Sequence, residues 1–240
     1  MKKLSIRRLV PNLITFISLT LGLSAIKFAI DQKWEVAVTL IVFSSFLDNL
    51  DGKLARLLKT NSNFGVELDS LADFISFGIA PAIVIYLWSK TFFFDTNWAI
   101  VIFYAICSSS RLAKFNVLSH ENKSKDDLRF FFGISTPAAA GLSLLPMMFN
   151  FRFELDVFNY ETFIKYYLFL PSILMISNLP TYSLKGIKIE KKLIPFLIIL
   201  FASFIYLLLT DLWLAMIILI IIYFLSIPFA IYESKVSLKT

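Results

Sequence analysis

The chain has 240 residues, of which 58% are hydrophobic, and its mean hydropathy is +0.76. A soluble domain of this length is excluded by so apolar a composition, because a membrane-spanning helix needs only about 20 apolar residues. The net charge of +6 comes without a basic stripe interleaved with exposed aromatic residues, so the composition also excludes a nucleic-acid-binding protein.

Apolar segments separated by short loops predict about eight transmembrane helices. These segments are 11–30, 36–57, 66–88, 96–117, 134–150, 163–182, 193–210 and 212–232. We therefore expect an all-α, polytopic helical bundle that forms a single membrane-embedded domain over residues 1–240. The first apolar run lacks a small-x-small cleavage site, which favours a retained helix over a signal peptide.

The distribution of basic residues predicts the orientation of these helices. With the N-terminus inside, 18 of the 23 Lys and Arg fall on inner segments. The outer half keeps five, which are Lys27, Lys33, Lys90, Arg152 and Lys165. This bias is what the positive-inside rule predicts, so we expect both termini on the cytoplasmic side.

Four acidic residues interrupt the second and third predicted helices: Asp48, Asp51, Asp69 and Asp73. An acidic side chain at the centre of a membrane helix costs roughly 2.5–3.5 kcal/mol, and such residues are usually functional. Four of them require a shared counter-charge. Divalent cations such as Mg²⁺, Mn²⁺ or Ca²⁺, which prefer hard oxygen ligands, would supply it.

The spacing of these acids predicts that they converge. Residues three or four apart project from one face of a helix, which applies to Asp48 with Asp51 and to Asp69 with Asp73. The two helices run antiparallel through an inner turn. At a rise of about 1.5 Å per residue, Asp51 and Asp73 both lie roughly 10 Å deep. Carboxylates at one level can hold a pair of metal ions suited to phosphoryl displacement.

Small residues accompany the acids. Gly52 and Ala55 thin the helix face beside Asp51, which would let a ligand approach the backbone, and Arg56 carries a guanidinium fork suited to phosphate. The alternative for such residues is close helix–helix packing. That alternative is stronger for Gly78 and Ala82 than for Gly52.

One motif joins the acids and the small residues. The pattern D-x2-D-G-x2-A-R-x8-G-x3-D-x3-D is matched at eight positions: Asp48, Asp51, Gly52, Ala55, Arg56, Gly65, Asp69 and Asp73. It resembles the signature of the CDP-alcohol phosphatidyltransferases. The resemblance implies an integral membrane enzyme that moves a phosphatidyl group from CDP-diacylglycerol to an alcohol and releases CMP.

The resemblance also implies roles for residues. The aspartates would hold two divalent cations, Mg²⁺ or Mn²⁺, with Asp73 also acting as general base on the acceptor hydroxyl. Seven residues would bind CDP-diacylglycerol: Gly52, Ala55, Arg56, Ser62, Gly65, Asn12 and Thr15. For Asn12 and Thr15, an interfacial cap with backbone hydrogen bonds remains the alternative.

Sequence around the last two acids is similar to the phosphatidylserine synthase branch of that family. The similarity rests on Leu68–Gly78 with Ser70 and Phe74, on Arg111–Asn116 and on Thr136–Ala140. Four residues would then bind serine: Ser70, Ser76, Arg111 and Lys114. For Arg111 and Lys114 the alternative is an ordinary positive-inside anchor.

The implied catalytic core is about 5–185, and the helices at about 193–232 would be additions with no assigned role. Its partners would be CDP-diacylglycerol, L-serine, the lipid bilayer and a second copy in a homodimer, with no nucleic acid. We expect an inner-membrane protein whose active site faces the cytoplasm. Choline, glycerol-3-phosphate or inositol remain alternative acceptors, and a cation-coupled transporter is the non-enzyme alternative.

Overall fold

The computed structural model describes residues 6–58, 62–92, 98–120, 130–155, 166–182 and 191–237. Helices make up almost all of these ranges. In chain order they are α1 (Ile6–Ile30), α2 (Trp34–Leu57), α3 (Asn63–Asp73), α4 (Ala80–Phe92), α5 (Trp98–His120), α6 (Thr136–Phe153), α7 (Phe169–Ile176), α8 (Ile194–Thr210) and α9 (Leu212–Ser237). A π-helical segment, Phe74–Ile79, joins α3 to α4, and a 3-10 turn, Lys191–Leu193, precedes α8.

Four helical stretches within the described ranges are long and apolar enough to cross a bilayer. They are Leu9–Ile30, Asn63–Lys90, Trp98–Val117 and Leu212–Glu233. The expected polytopic helical membrane protein is therefore confirmed. The count of eight spans stays a prediction.

The sixth predicted span, 163–182, is wrong at its C-terminal end. Helix α7 stops at Ile176, and the chain continues into strand β2 (Pro180–Tyr182). Strand β2 pairs antiparallel with β1 (Phe130–Phe132), Phe131 lying opposite Thr181. Pro180 explains the stop, because a proline has no amide proton and disfavours helical geometry at the residue before it.

The core lies between the first five helices and α6. Small residues such as Ala25 on α1 and Ala37 on α2 are fully buried where these two helices pack together. Larger buried side chains, including Trp88, Tyr104 and Met147, fill the centre of the bundle. Helix α8 has no buried residue, so its apolar surface is free to face lipid.

Contacts between distant segments agree with the predicted sidedness. Strands β1 and β2 bring together two segments expected on the inner side, and Lys114 donates to Asn178 across the same end (2.9 Å). At the opposite end, Arg152 forms an ion pair with Asp211. Residues expected on one side of the membrane therefore meet one another.

Candidate active site

The site forms where α1, α2 and α3 meet at one end of the bundle. Helix α2 carries the first two acids of the motif and ends at Leu57, and α3 begins at Asn63 with the other two ahead of it. Ser62 caps α3, because its side chain accepts a hydrogen bond from the Gly65 amide (3.1 Å). The cap fixes the point at which the chain turns back toward α2.

The carboxylates converge as their spacing predicted. Asp48, Asp51 and Asp69 each place an oxygen within 4.8 Å of the other two. The Asp73 side chain lies within hydrogen-bonding range of Asp48. Two helices thus bring four acidic groups into one cluster.

Little within the described chain compensates this negative charge. The ion pairs found among the described residues, Lys27–Asp31 and Arg152–Asp211, involve none of the four acids. One oxygen of Asp69, Oδ1, is buried without a hydrogen-bond partner. Oxygen ligands that converge around an unsatisfied carboxylate oxygen suit a divalent cation. The residues present therefore fit the metal that the sequence implied.

Thr15 of α1 holds one of these acids in place. Its hydroxyl oxygen lies 2.6 Å from Asp51 Oδ2 and 3.1 Å from the Pro11 carbonyl oxygen. Thr15 and Asp51 are both buried. The side chain thus combines the two predicted alternatives, since it meets its own helix backbone and also reaches the acidic cluster.

A cavity of about 180 Å³ opens beside the acids. Six of the seven residues predicted to bind CDP-diacylglycerol line it, together with two of the acids. The lining residues are Pro11, Asn12, Thr15, Asp51, Gly52, Ala55, Ser62, Gly65, Val66 and Asp69. The motif glycines and α1 therefore share one space with the carboxylates.

Glycines in this region have two different roles. A Cβ added to Gly52 would meet no atom within 4 Å, so nothing in the described chain packs against it. A Cβ at Gly78 would lie 2.5 Å from Ser108 Oγ and 2.9 Å from the Phe74 ring. Close helix packing, the alternative weighed for both glycines, thus applies to Gly78 and not to Gly52.

Arg56 is the one predicted nucleotide-binding residue outside the cavity wall. Its Nε donates to the Gly52 carbonyl oxygen (3.0 Å), and the side chain is exposed. This bond holds the guanidinium against the helix surface. The predicted contact with phosphate stays a prediction.

The residues predicted to bind serine are dispersed. Ser70 accepts from Asn116 Nδ2 (2.9 Å) and donates to the Val66 carbonyl oxygen (3.1 Å), which ties α3 to α5. Ser76 is fully buried and donates to the Ser18 carbonyl oxygen (3.3 Å). It packs against Gly22 of α1, which gives it a packing role, and it does not line the cavity.

The two basic residues of this predicted set differ in their surroundings. Arg111 is half-buried, donates through Nε to the Ile134 carbonyl oxygen and through Nη1 to Thr136 Oγ1 (3.0 Å), and interacts electrostatically with Asp73. Lys114 is exposed and bonds only Asn178 among the contacts described for it. Arg111 therefore lies within electrostatic range of one acid of the cluster, Asp73.

Sequence reasoning missed three features of the site. It did not assign Thr15 as a partner of Asp51, did not single out Asn116, and did not anticipate the π-helical segment that begins directly after Asp73. Asn116 ends a string that was singled out, so that signal was available. The π-helical segment had none, because no residue type marks it.

Comparison with known proteins decides between the enzyme and the transporter. The family profile described as CDP-alcohol phosphatidyltransferase matches residues 8–181, which include all four acids and the cavity residues. The chain belongs to this family. As a CDP-alcohol phosphatidyltransferase family member it is a transferase, and α8 and α9 lie beyond the matched residues.

Three named relatives show which members of the family this chain resembles. The CDP-diacylglycerol–serine O-phosphatidyltransferase of Mycobacterium bovis is 32% identical over 95% of this chain and 80% of its own length. The protein of the same name from Helicobacter pylori is 35% identical, with 82% and 81% covered. Archaetidylserine synthase of Methanothermobacter thermautotrophicus is 32% identical, with 74% and 71% covered.

Proposed function

We propose that this protein transfers the phosphatidyl group of CDP-diacylglycerol to the hydroxyl of L-serine, giving phosphatidylserine and CMP. The observation that carries the proposal is the acidic cluster opening on a cavity lined by the motif residues. The relatives named as serine transferases support serine as the acceptor over choline, glycerol-3-phosphate or inositol.

Four acids would hold the metal, which we propose to be two Mg²⁺ or Mn²⁺ ions. Such ions neutralise charge on the diphosphate and on the departing CMP when they are bound. Thr15 keeps Asp51 oriented through the short hydrogen bond between them. That bond leaves the other Asp51 oxygen, Oδ1, available to bind a metal ion.

The reaction would need one proton acceptor. We propose that Asp73 takes the proton of the serine hydroxyl, whose oxygen then bonds to the phosphorus that bears diacylglycerol. The bond between that phosphorus and the bridging oxygen breaks, and CMP leaves with the electron pair. Gly52, on which no described residue packs, leaves room for the diphosphate close to the α2 backbone.

The remaining proposals concern the setting of the site. We propose that residues 1–240 form one domain with eight spans, that both termini and the active site face the cytoplasm, and that the membrane is the inner one. The bias of basic residues supports this orientation. A homodimer stays a prediction of the family resemblance.

The test is an acceptor panel. Purified protein in detergent receives CDP-diacylglycerol, Mg²⁺ or Mn²⁺, and serine, glycerol-3-phosphate, inositol or choline in separate reactions, with CMP and the lipid product measured. We expect CMP and phosphatidylserine in the reaction that contains serine, and no CMP in the three reactions with the other alcohols. If CMP is released only with another alcohol, that alcohol is the acceptor and serine is not. If no alcohol gives CMP, the proposed reaction is rejected.

A further inference from the structure

Tyr223 lies on α9, a helix beyond the family match to which the sequence assigned no role. Helix α9 packs on strand β2. The side chain of Tyr223 lies within hydrogen-bonding range of Ser135 and of the Thr181 hydroxyl. A residue from the last helix therefore joins β2 to the start of α6.

The segment that Tyr223 contacts is tightly built. Thr181 donates to the Gly133 carbonyl oxygen (3.1 Å), and the Gly133 amide donates to the Leu179 carbonyl oxygen (2.8 Å). Gly133 has φ of +73°, and an added Cβ would lie 2.6 Å from the Met175 carbonyl oxygen. Only glycine fits this position. The short segment 133–136 is thus held between α7, β2 and α9.

The same segment holds Arg111. Its guanidinium donates to Ile134 and Thr136, the two neighbours of Ser135. A guanidinium has five N–H donors, so donors remain after these two bonds. No carboxylate lies within ion-pair distance of Arg111 in the part of the chain that the structure describes. A half-buried cation with free donors suits an anionic group on a ligand.

Arg111 also interacts electrostatically with both Tyr223 and Asp73. The Arg111 guanidinium is therefore within electrostatic range of the acid proposed to receive the acceptor's proton. In serine the hydroxyl is attached to Cβ and the carboxylate to the adjacent Cα. A serine whose hydroxyl approaches Asp73 therefore holds its carboxylate close by. That carboxylate would come within the range of Arg111.

We propose that Tyr223 is a positioning residue for the acceptor: by fixing segment 133–136 it fixes Arg111, which binds the serine carboxylate. The inference rests on the proposed function. It gives α9 a part in acceptor recognition, although the family match ends before this helix.

The test compares Tyr223→Phe with Tyr232→Phe, a matched change on the exposed face of the same helix. We expect Tyr223→Phe to raise KM for serine about five- to tenfold, with KM for CDP-diacylglycerol and the melting temperature in detergent nearly unchanged. Tyr232→Phe should leave all three at the wild-type values.

A double-mutant cycle separates positioning from mere stability. Arg111→Lys removes the fork that Tyr223 helps to place, so adding Tyr223→Phe to it should raise KM for serine no further. Additive effects in the double variant, an unchanged KM in Tyr223→Phe, or an equal rise of both KM values would overturn the inference. A wild-type protein that ignores serine would overturn the proposed function and this inference together.

Discussion

At the scale of single residues, the hydrogen bond between Thr15 and Asp51 shows how α1 contributes to a cluster whose acids all lie on other elements. The sequence predicts that Thr15 binds CDP-diacylglycerol or belongs to an interfacial cap, and it gives Thr15 no partner among the acids. In the structure its buried hydroxyl orients a carboxylate that has no cationic partner among the described residues. Partners of this kind commonly decide how well a metal ligand works.

Thr15→Val keeps the shape of the side chain and removes this donor. We expect the Mg²⁺ or Mn²⁺ concentration that gives half-maximal activity to rise about tenfold, because Asp51 loses the bond that orients it. Titration of activity against metal measures the shift. Thr20→Val is the matched control, since the bond described for Thr20 goes to the Phe16 carbonyl oxygen on the exposed face of α1. An equal metal requirement in both variants would show that Thr15 does not orient Asp51 for the metal.

At the scale of secondary-structure elements, α3, the π-helical segment and α4 form one continuous helical rod, and its first part carries Asp69 and Asp73. The segment Phe74–Ile79 presents Ser76 to Gly22 of α1 and Gly78 to Ser108 of α5. Two glycines thus let neighbouring helices approach the rod closely just after Asp73. Their placement sets the distance between the rod and both neighbours.

Gly22→Ala should therefore destabilise the bundle. The new Cβ would lie 2.7 Å from the Cα of Ser76, a backbone atom that cannot turn away. We expect a loss of about 1–3 kcal/mol, measured as a lower melting temperature in detergent. Gly141→Ala is the control, because its Cβ would meet Ile220 at an ordinary 3.4 Å. Equal melting temperatures for the two variants would contradict this packing.

The elements also show what the sequence could and could not predict. Apolar length located α1, α2, α5, α8 and α9, and the spacing of the acids predicted their convergence. The end of α7 had a local signal in Pro180, which apolar length alone overlooked. The β1–β2 pairing was missed because it depends on contacts between residues about 50 positions apart. Periodicity within a segment carries no information about such a partner. The packing of Tyr223 near strand β2 could not be predicted for the same reason.

At the scale of the whole molecule, contacts at the two ends of the bundle agree with alternating helix directions. Lys114 meets Asn178 at one end, and Arg152 meets Asp211 at the other. The bias of basic residues then assigns the first end to the cytoplasm. We therefore expect the residues proposed to bind the acceptor to lie on the cytoplasmic side.

Cysteine labelling tests this orientation. In a Cys107→Ala background, where the one buried native thiol is gone, Lys33→Cys should react with a membrane-impermeant maleimide in intact cells. Asn178→Cys should react only after the membrane is permeabilised. Both positions are exposed, so they form a matched pair. The reverse pattern would invert the topology.

We infer that the acidic cluster carries out phosphatidyl transfer. The most direct measurement compares serine-dependent CMP release by two variants, Asp69→Asn and Asp31→Asn. Asp31→Asn is the control, because it makes the same change at an exposed turn. Asp69→Asn should still fold, since it removes one of four crowded like charges, yet lose about a hundredfold or more in rate. Asp31→Asn should keep the wild-type rate. Wild-type turnover by folded Asp69→Asn protein would contradict the account.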